Sequence, residues 1–320
     1  MTEYIGINGQ QIEIRSADPS NPTLGQIWYN TTSSALKGYR FFVGWATGGN
    51  LATARTQLGG TGTQTAGLAI GGVNSPGESN ATEEYDGTSW TAGGNLPVAI
   101  KRQGTGGTQT AGLSFGGNPA STATREYDGS TWTSGGNLGT GRGYLMGNGV
   151  GTQTAGLAVG GDIGPFVGVT NTEEYDGSTW TAGGNYPTGR FSLPVTGTQT
   201  AGLAFTGRGG PAGLSTNATN EYDGSTWTAG GNYPLSGAGS GAAGTQTAAL
   251  GFADYNSPSI ITNKYDGTSW TATSNMNTSR GYLAGFGTQA SALAAGGNPY
   301  STGFTEEYNE SNETVTFTAT

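Results

Sequence analysis

An all-β fold, a β-propeller of six blades, is predicted by three observations. The phrase EYDGSTWTAGGN, or a close variant, starts at Glu84, Glu126, Glu174, Glu221 and Lys264, and an eroded copy, EYNESNETVTF, starts at Glu307. The motif tyrosines Tyr85, Tyr127, Tyr175, Tyr222, Tyr265 and Tyr308 are spaced by 42, 48, 47, 43 and 43 residues, a period belonging to propeller blades. A second marker precedes each of them, GTQTAGL from Gly62, Gly107, Gly151 and Gly197, GTQTAAL from Gly244 and GTQASAL from Gly287. With 62 glycines in 320 residues, long helices are disfavoured, while the Thr, Ser, Tyr and Trp content suits strands and tight turns.

Taken in chain order, residues 1–36 lie outside the repeat and are expected to form an N-terminal attachment segment, with the propeller over 37–320. The stretch FFVGWATGGNLATAR from Phe41 copies the last strand of a unit, with Trp45 in the place of Trp90, but no unit precedes it. It is expected to lend the 37–50 strand to the sixth blade and so leave no open edge. The C-terminal 312–320 strand competes for that place.

Each unit reads as four strands, A to D. In the third unit these are RGYLMGNGV, TAGLAVGG, TNTEEYDG and STWTAGG. Asp-Gly between C and D is a hairpin signal, because Gly accepts the positive φ of a tight connection. Small residues crowd A and B because blades converge on the axis, and Tyr and Trp fill the wider gaps further out.

A Gly-Gly closing one strand, then Tyr-Asp, a Trp five residues after the Tyr, and NLP or NYP with an Arg resembles the kelch repeat. The resemblance implies a kelch-type propeller, here richer in Gly and Thr than usual. Some kelch propellers are copper oxidases, but that chemistry needs imidazole and thiolate ligands, and this chain has no His and no Cys. DGSTW is similar to the Asp-box of sialidases, yet Gly follows Asp directly, the leading Ser is missing, and no Tyr/Glu pair stands apart from the repeated ones. No catalytic residues, cofactor or metal are expected.

Twelve basic against twenty-one acidic residues give a net charge of -9, which opposes binding to nucleic acid or an anionic membrane. No apolar run reaches the roughly 20 residues of a membrane span. The segment NPTLGQIWYNTTSSALKGYR resembles short hairpin modules near the start of tailed-phage virion proteins, and the Gly/Thr-rich array is similar to structural proteins of such phages. That resemblance implies a virion location with other virion proteins as partners; a homo-oligomer is a separate expectation. The competing expectation is a propeller that binds a host-surface glycan.

Alternating strands place the A–B and C–D turns on one uniform face and the B–C loops and D–A links on the other. From the Gly-Gly marker or its equivalent to the motif Tyr the distances vary as 13, 10, 14, 15, 11 and 11, and variable connections are where function concentrates. Ile163, Phe166 and Val167 in the third loop and Tyr255 and Ile260 in the fifth are the candidate binding residues. Arg55, Arg102, Arg142, Arg190 and Arg280 precede strands A near the axis. They are expected to pair with Glu84, Glu126, Glu174, Glu221 and Glu307, because blade five lacks both the Arg and the Glu; the alternative is an Arg ring facing an anionic ligand.

Overall fold

The computed structural model describes residues 4–7, 10–75, 77–146, 150–209, 213–255, 259–299 and 301–317. The expected attachment segment and C-terminal strand therefore extend partly outside the described residues. The chain divides into two compact units, Met1–Gly44 with Asn309–Thr320, and Trp45–Tyr308. The boundary expected at 36/37 falls inside the strand Ala35–Thr47, and the chain divides later, between Gly44 and Trp45. The strand Thr305–Phe317 likewise has residues in both units.

In the first unit Gln10–Arg15 runs antiparallel to Tyr4–Ile7 and parallel to Ile27–Asn30, with Glu13 opposite Trp28. Ile27–Asn30 then makes a hairpin with Ala35–Gly38. Trp28 is fully buried. Lys37 Nζ (2.6 Å), Asn30 Nδ2 (2.7 Å) and Trp28 Nε1 (3.0 Å) all donate to the Asp18 carboxylate. These bonds hold its pKa down to about 2, Lys37 contributing most.

The second unit is a β-propeller. Blade one consists of Gly59–Thr63, Ala66–Ile70, Thr82–Tyr85 and Trp90–Ala92, paired antiparallel in that order. Four-stranded sheets of the same order follow, with inner strands Gly104–Gly107, Gly151–Thr152, Val195–Thr198 and Gly241–Thr245. Blade six uses Ala284–Gly287, Ser291–Ala295 and the start of Thr305–Phe317. Inner strands neighbour one another from blade one to six, and six neighbours one. Their approach leaves no room for side chains at the glycines: a Cβ on Gly60 would lie 2.6 Å from the Ala284 Cβ and 2.8 Å from the Phe286 ring.

Trp45 supplies the outer strand of blade six. Gly48 N donates to Thr305 O (2.9 Å) as Gly93 N does to Thr82 O (2.9 Å). Trp45 Nε1 donates to Thr262 of blade five (3.1 Å), as Trp90 does to Thr305 of blade six (2.9 Å). The other four motif tryptophans repeat the bond at 2.8–3.0 Å.

Two further ladders run from blade to blade. The Gln of each GTQ turn donates through Nε2 to two carbonyls of the preceding blade; Gln109 bonds Gly67 O (3.1 Å) and Tyr85 O (2.7 Å), and Gln64 closes the set on Ala292 O (3.1 Å) and Tyr308 O (2.8 Å). Tyr127 OH bonds Glu84 of the preceding blade (2.7 Å), with Tyr85–Glu307, Tyr175–Glu126, Tyr222–Glu174 and Tyr265–Glu221 alike at 2.5–2.6 Å. At the last junction Lys264 stands in place of the Glu, and Thr273, in place of a Gly, meets Tyr308 OH at 2.7 Å.

Candidate functional site

Each blade is entered by a residue whose N–H bonds a B–C loop carbonyl of the preceding blade: Arg55 to Thr302, Ile100 to Ser79, Arg142 to Ser121, Arg190 to Val169 and Gly237 to Thr216. Arg280 holds the same place in blade six, bridged to Ser259. The arginine is therefore missing from blade two as well as from blade five. Arg102, expected to belong to this set, sits two residues further on.

Arg55, Arg142 and Arg280 are buried to within 1%. Arg142 donates to Gly160 O (2.8 Å), Asn171 O (2.8 Å) and Glu173 (2.7 Å). Arg55 with Glu83 and Arg280 with Glu306 repeat the arrangement at 2.9 Å. Burial pushes the three guanidinium pKa values down, and the facing carboxylate opposes it.

The partners are thus one residue earlier than expected. Neighbouring strand residues point to opposite sides, so Glu83 turns to Arg55 while Glu84 turns to the next blade's Tyr127. At the Glu83 position the six copies read Glu83, Arg125, Glu173, Asn220, Asn263 and Glu306, acidic only where the entering residue is Arg55, Arg142 or Arg280. That covariation was visible in the sequence and points to the correct pairing. Enclosed and each paired with a carboxylate, although the Nε of each is left without a partner among the described residues, these three arginines are removed from the ligand-facing set. Arg190 is half-buried, opposite Gly209 in a short extra three-stranded sheet, and the Glu83 position of its blade holds Asn220, bonded to Tyr186 OH (2.8 Å).

Two residues after each entering residue lies an axial ring: Gln57, Arg102, Tyr144, Ser192, Gly239 and Tyr282. All six have positive φ, 57°, 57°, 51°, 53°, 66° and 50°, a conformation that side-chain-bearing residues adopt only where surroundings impose it. The imposition is a circle of main-chain bonds. Gln57 N donates to Tyr282 O, Arg102 N to Gln57 O, Ser192 N to Tyr144 O, Gly239 N to Ser192 O and Tyr282 N to Gly239 O, all at 2.8–2.9 Å. Leu145 N to Arg102 O (3.1 Å) completes it.

The ring gathers an aromatic and cationic cluster on the variable face. The Arg102 guanidinium lies 3.9 Å from the Tyr144 ring centre and 5.7 Å from that of Tyr282, distances at which a cation is attracted to the ring face. Tyr255 stacks on Tyr282 (4.1 Å), and Phe166 reaches Tyr144 (6.3 Å) and Phe191 (6.0 Å). Burial pushes the Tyr282 hydroxyl pKa up. Among the described residues Arg102 meets no carboxylate, and its buried Nε has no hydrogen-bond partner.

Of the sequence candidates, Phe166, Tyr255 and Arg102 are joined in this one cluster. Ile163, Phe166 and Val167 stand exposed at 47%, 58% and 52%, with Ile260 exposed in another loop. Tyr144 and Tyr282 were missed, although RGYL occurs in the third and sixth units alone. On the uniform face, Asp86 accepts Thr88 N and Ser89 N, each at 2.8 Å. These turn bonds, that from Ser89 foremost, hold the carboxyl at about 2.

No family model and no curated protein sequence matches the chain. It is similar to the solved structure of YjhT at 14% identity, with a TM-score of 0.63 over 82% of this chain and 99% of that one. At that identity the likeness shows the fold, a β-propeller, and nothing further.

Proposed function

We propose that the chain is a non-enzymatic recognition component of a phage particle, a kelch-type propeller whose variable face meets other virion proteins. The observation that carries this reading is the contrast between faces. Turn groups on the uniform face are consumed in bonds within or between blades, such as Gln109 to Gly67 and Tyr85, whereas Ile163, Phe166 and Val167 project from the third loop into solvent. Exposed apolar groups held together on a rigid scaffold are what protein contacts use. The resemblance of the N-terminal segment to virion hairpin modules supports the particle setting. A binding role in place of a catalytic one is supported by the absence of His and Cys and by the engagement of the motif tyrosine hydroxyls with Glu84 and its equivalents. Cross-linking intact purified particles and identifying the cross-linked peptides tests the reading. Cross-links from the third loop to another virion protein are expected; absence of the chain from purified particles overturns it.

A second reading, binding of a host-surface glycan, is favoured by one separate observation, the aromatic cluster around Arg102. Sugar rings present apolar C–H faces that stack on tyrosines, and a preformed cluster avoids the entropic cost of ordering side chains on binding.

A further inference from the structure

The six positions of the axial ring share one backbone conformation and one bonding role, yet they hold Gln, Arg, Tyr, Ser, Gly and Tyr. Tyr282 is buried and fills the space beside Gly239, where a Cβ would lie 2.6 Å from its ring, but since Ser192 and Gly239 fulfil the architectural requirement with little or no side chain, the fold does not call for Arg102 and Tyr144. Their side chains need another explanation. Arg102 is the ring's single charge. Arg55, Arg142 and Arg280 each have a carboxylate, whereas Arg102, like the buried Arg125, has none among the described residues although the chain carries a net charge of -9.

We infer that the axial cluster is a binding site for a sugar bearing one carboxylate. The inference rests on the glycan reading and names its ligand class. Tyr144 and Tyr282 address the guanidinium through their ring faces, which leaves in-plane N–H groups for a planar acceptor, and a carboxylate matches that fork. One guanidinium balances one negative charge. A phosphate ester, at nearly two charges, calls for a second cation; Arg142, Arg280 and Lys101 are each paired, with Glu173, Glu306 and Glu78 (3.0 Å), and phosphate competition in the test below decides between the two anions. The sugar ring beside the carboxylate then lies against Tyr144 and the exposed Phe166, whose ring centres are 6.3 Å apart, with the buried Phe191 packed beneath them.

The test is titration of the full chain with an acidic trimer, a galactotriose whose terminal residue is galacturonate and which carries one carboxylate, and with neutral galactotriose, by calorimetry, in the wild type and in Arg102→Gln and Tyr144→Ser. Both substitutions introduce residues that the ring already holds, at Gln57 and Ser192, so the melting temperature is expected to stay within a few degrees. The wild type should bind the acidic trimer at least tenfold more tightly than the neutral one. Arg102→Gln should remove that preference, and Tyr144→Ser should weaken both sugars. Equal affinity for the two trimers in the wild type, or a preference that survives Arg102→Gln, overturns the carboxylate site and leaves the glycan reading standing. Competition by inorganic phosphate at concentrations where acetate does not compete overturns the choice of carboxylate. No binding to either trimer, nor to a panel of neutral and acidic glycans, overturns both.

Discussion

Replacing Arg142 by Met removes the hub on which Gly160 O, Asn171 O and Glu173 converge. Glu173 stays buried and keeps the hydrogen bond that its other oxygen accepts from the Gly139 N–H at 2.6 Å. A buried ion pair broken on one side costs about 3–5 kcal/mol, chiefly because the surviving charge is uncompensated. Glu173→Gln should cost a comparable amount by stranding Arg142. The double substitution leaves no unpaired charge, so the two losses should overlap by about 1–3 kcal/mol. Urea denaturation of the wild type, both single variants and the double variant measures that coupling. Glu174→Gln is the matched control. Glu174 bonds Tyr222 OH at 2.6 Å, so with Arg142→Met it should add within about 0.5 kcal/mol, while with Tyr222→Phe it should couple. Strict additivity at Glu173, or coupling of Arg142 to Glu174, would refute the pairing and the facing of the strand that produces it.

Gln153→Ala removes two blade-to-blade bonds, to Gly112 O (3.1 Å) and Tyr127 O (2.8 Å), and is expected to cost about 1–3 kcal/mol in denaturant midpoint without changing sugar affinity. Trp45→Ala should cost about 3–5 kcal/mol and broaden the unfolding transition, since it loosens the strand that joins blade six to blade five; an unchanged transition would contradict that role. On the acid side, Asp86 and Asp128 are depressed from 3.8 to about 2. Their contribution is complete above the unfolded value and is lost as pH falls toward 2, so the melting temperature should drop across that window and not between pH 5 and 7. On the alkaline side, Tyr127, Tyr175, Tyr222 and Tyr265 are raised from 10.0 to about 12, burial first and the bonded Glu second. Their stabilisation is complete below pH 10 and lost as pH rises to 12; absorbance at 295 nm should show a tyrosinate class titrating late, and a single transition near 10 in the folded protein would contradict it.

The fold was legible because the repeat carried it. Spacing of the tyrosines counted the blades, Asp-Gly placed the hairpins, and GWATGGN identified Trp45 as the closing strand. The limits of that reading have physical causes. Arg102 was grouped with Arg55 by proximity to strand A, but a two-residue displacement moves a side chain from an enclosed pocket to the axial ring, and proximity cannot register it. Glu84 was preferred to Glu83 because blade five lacks both the Arg and the Glu of that set, whereas strand alternation assigns the two carboxylates to different neighbours. The Phe166 and Tyr255 loops were recognised as variable. That their aromatic rings meet Tyr144 and Tyr282 depends on ring positions with positive φ, and no residue preference announces that conformation when Gln, Arg, Tyr and Ser all adopt it.

Because the chain contains six versions of each position, it also holds its own substitution series. The Gln64 set and the Trp45 set are invariant, and each member spans two blades through the same pair of acceptors or the same Thr hydroxyl. The Glu84 set changes once, at Lys264, and there a glycine of the adjoining strand has become Thr273, whose hydroxyl meets Tyr308. The Glu83 set changes three times, always where the entering residue is not one of the buried arginines. Change at a contact position is therefore accompanied by change in its partner. The axial ring breaks this pattern: Arg102 and Tyr144 differ from their equivalents while the main-chain circle beneath them stays the same. Arg102 and Tyr144 also meet each other across the junction of blades two and three, the guanidinium 3.9 Å from the ring centre, so the proposed ligand contact at the axis rests on the charge left without a carboxylate and not on the variation alone.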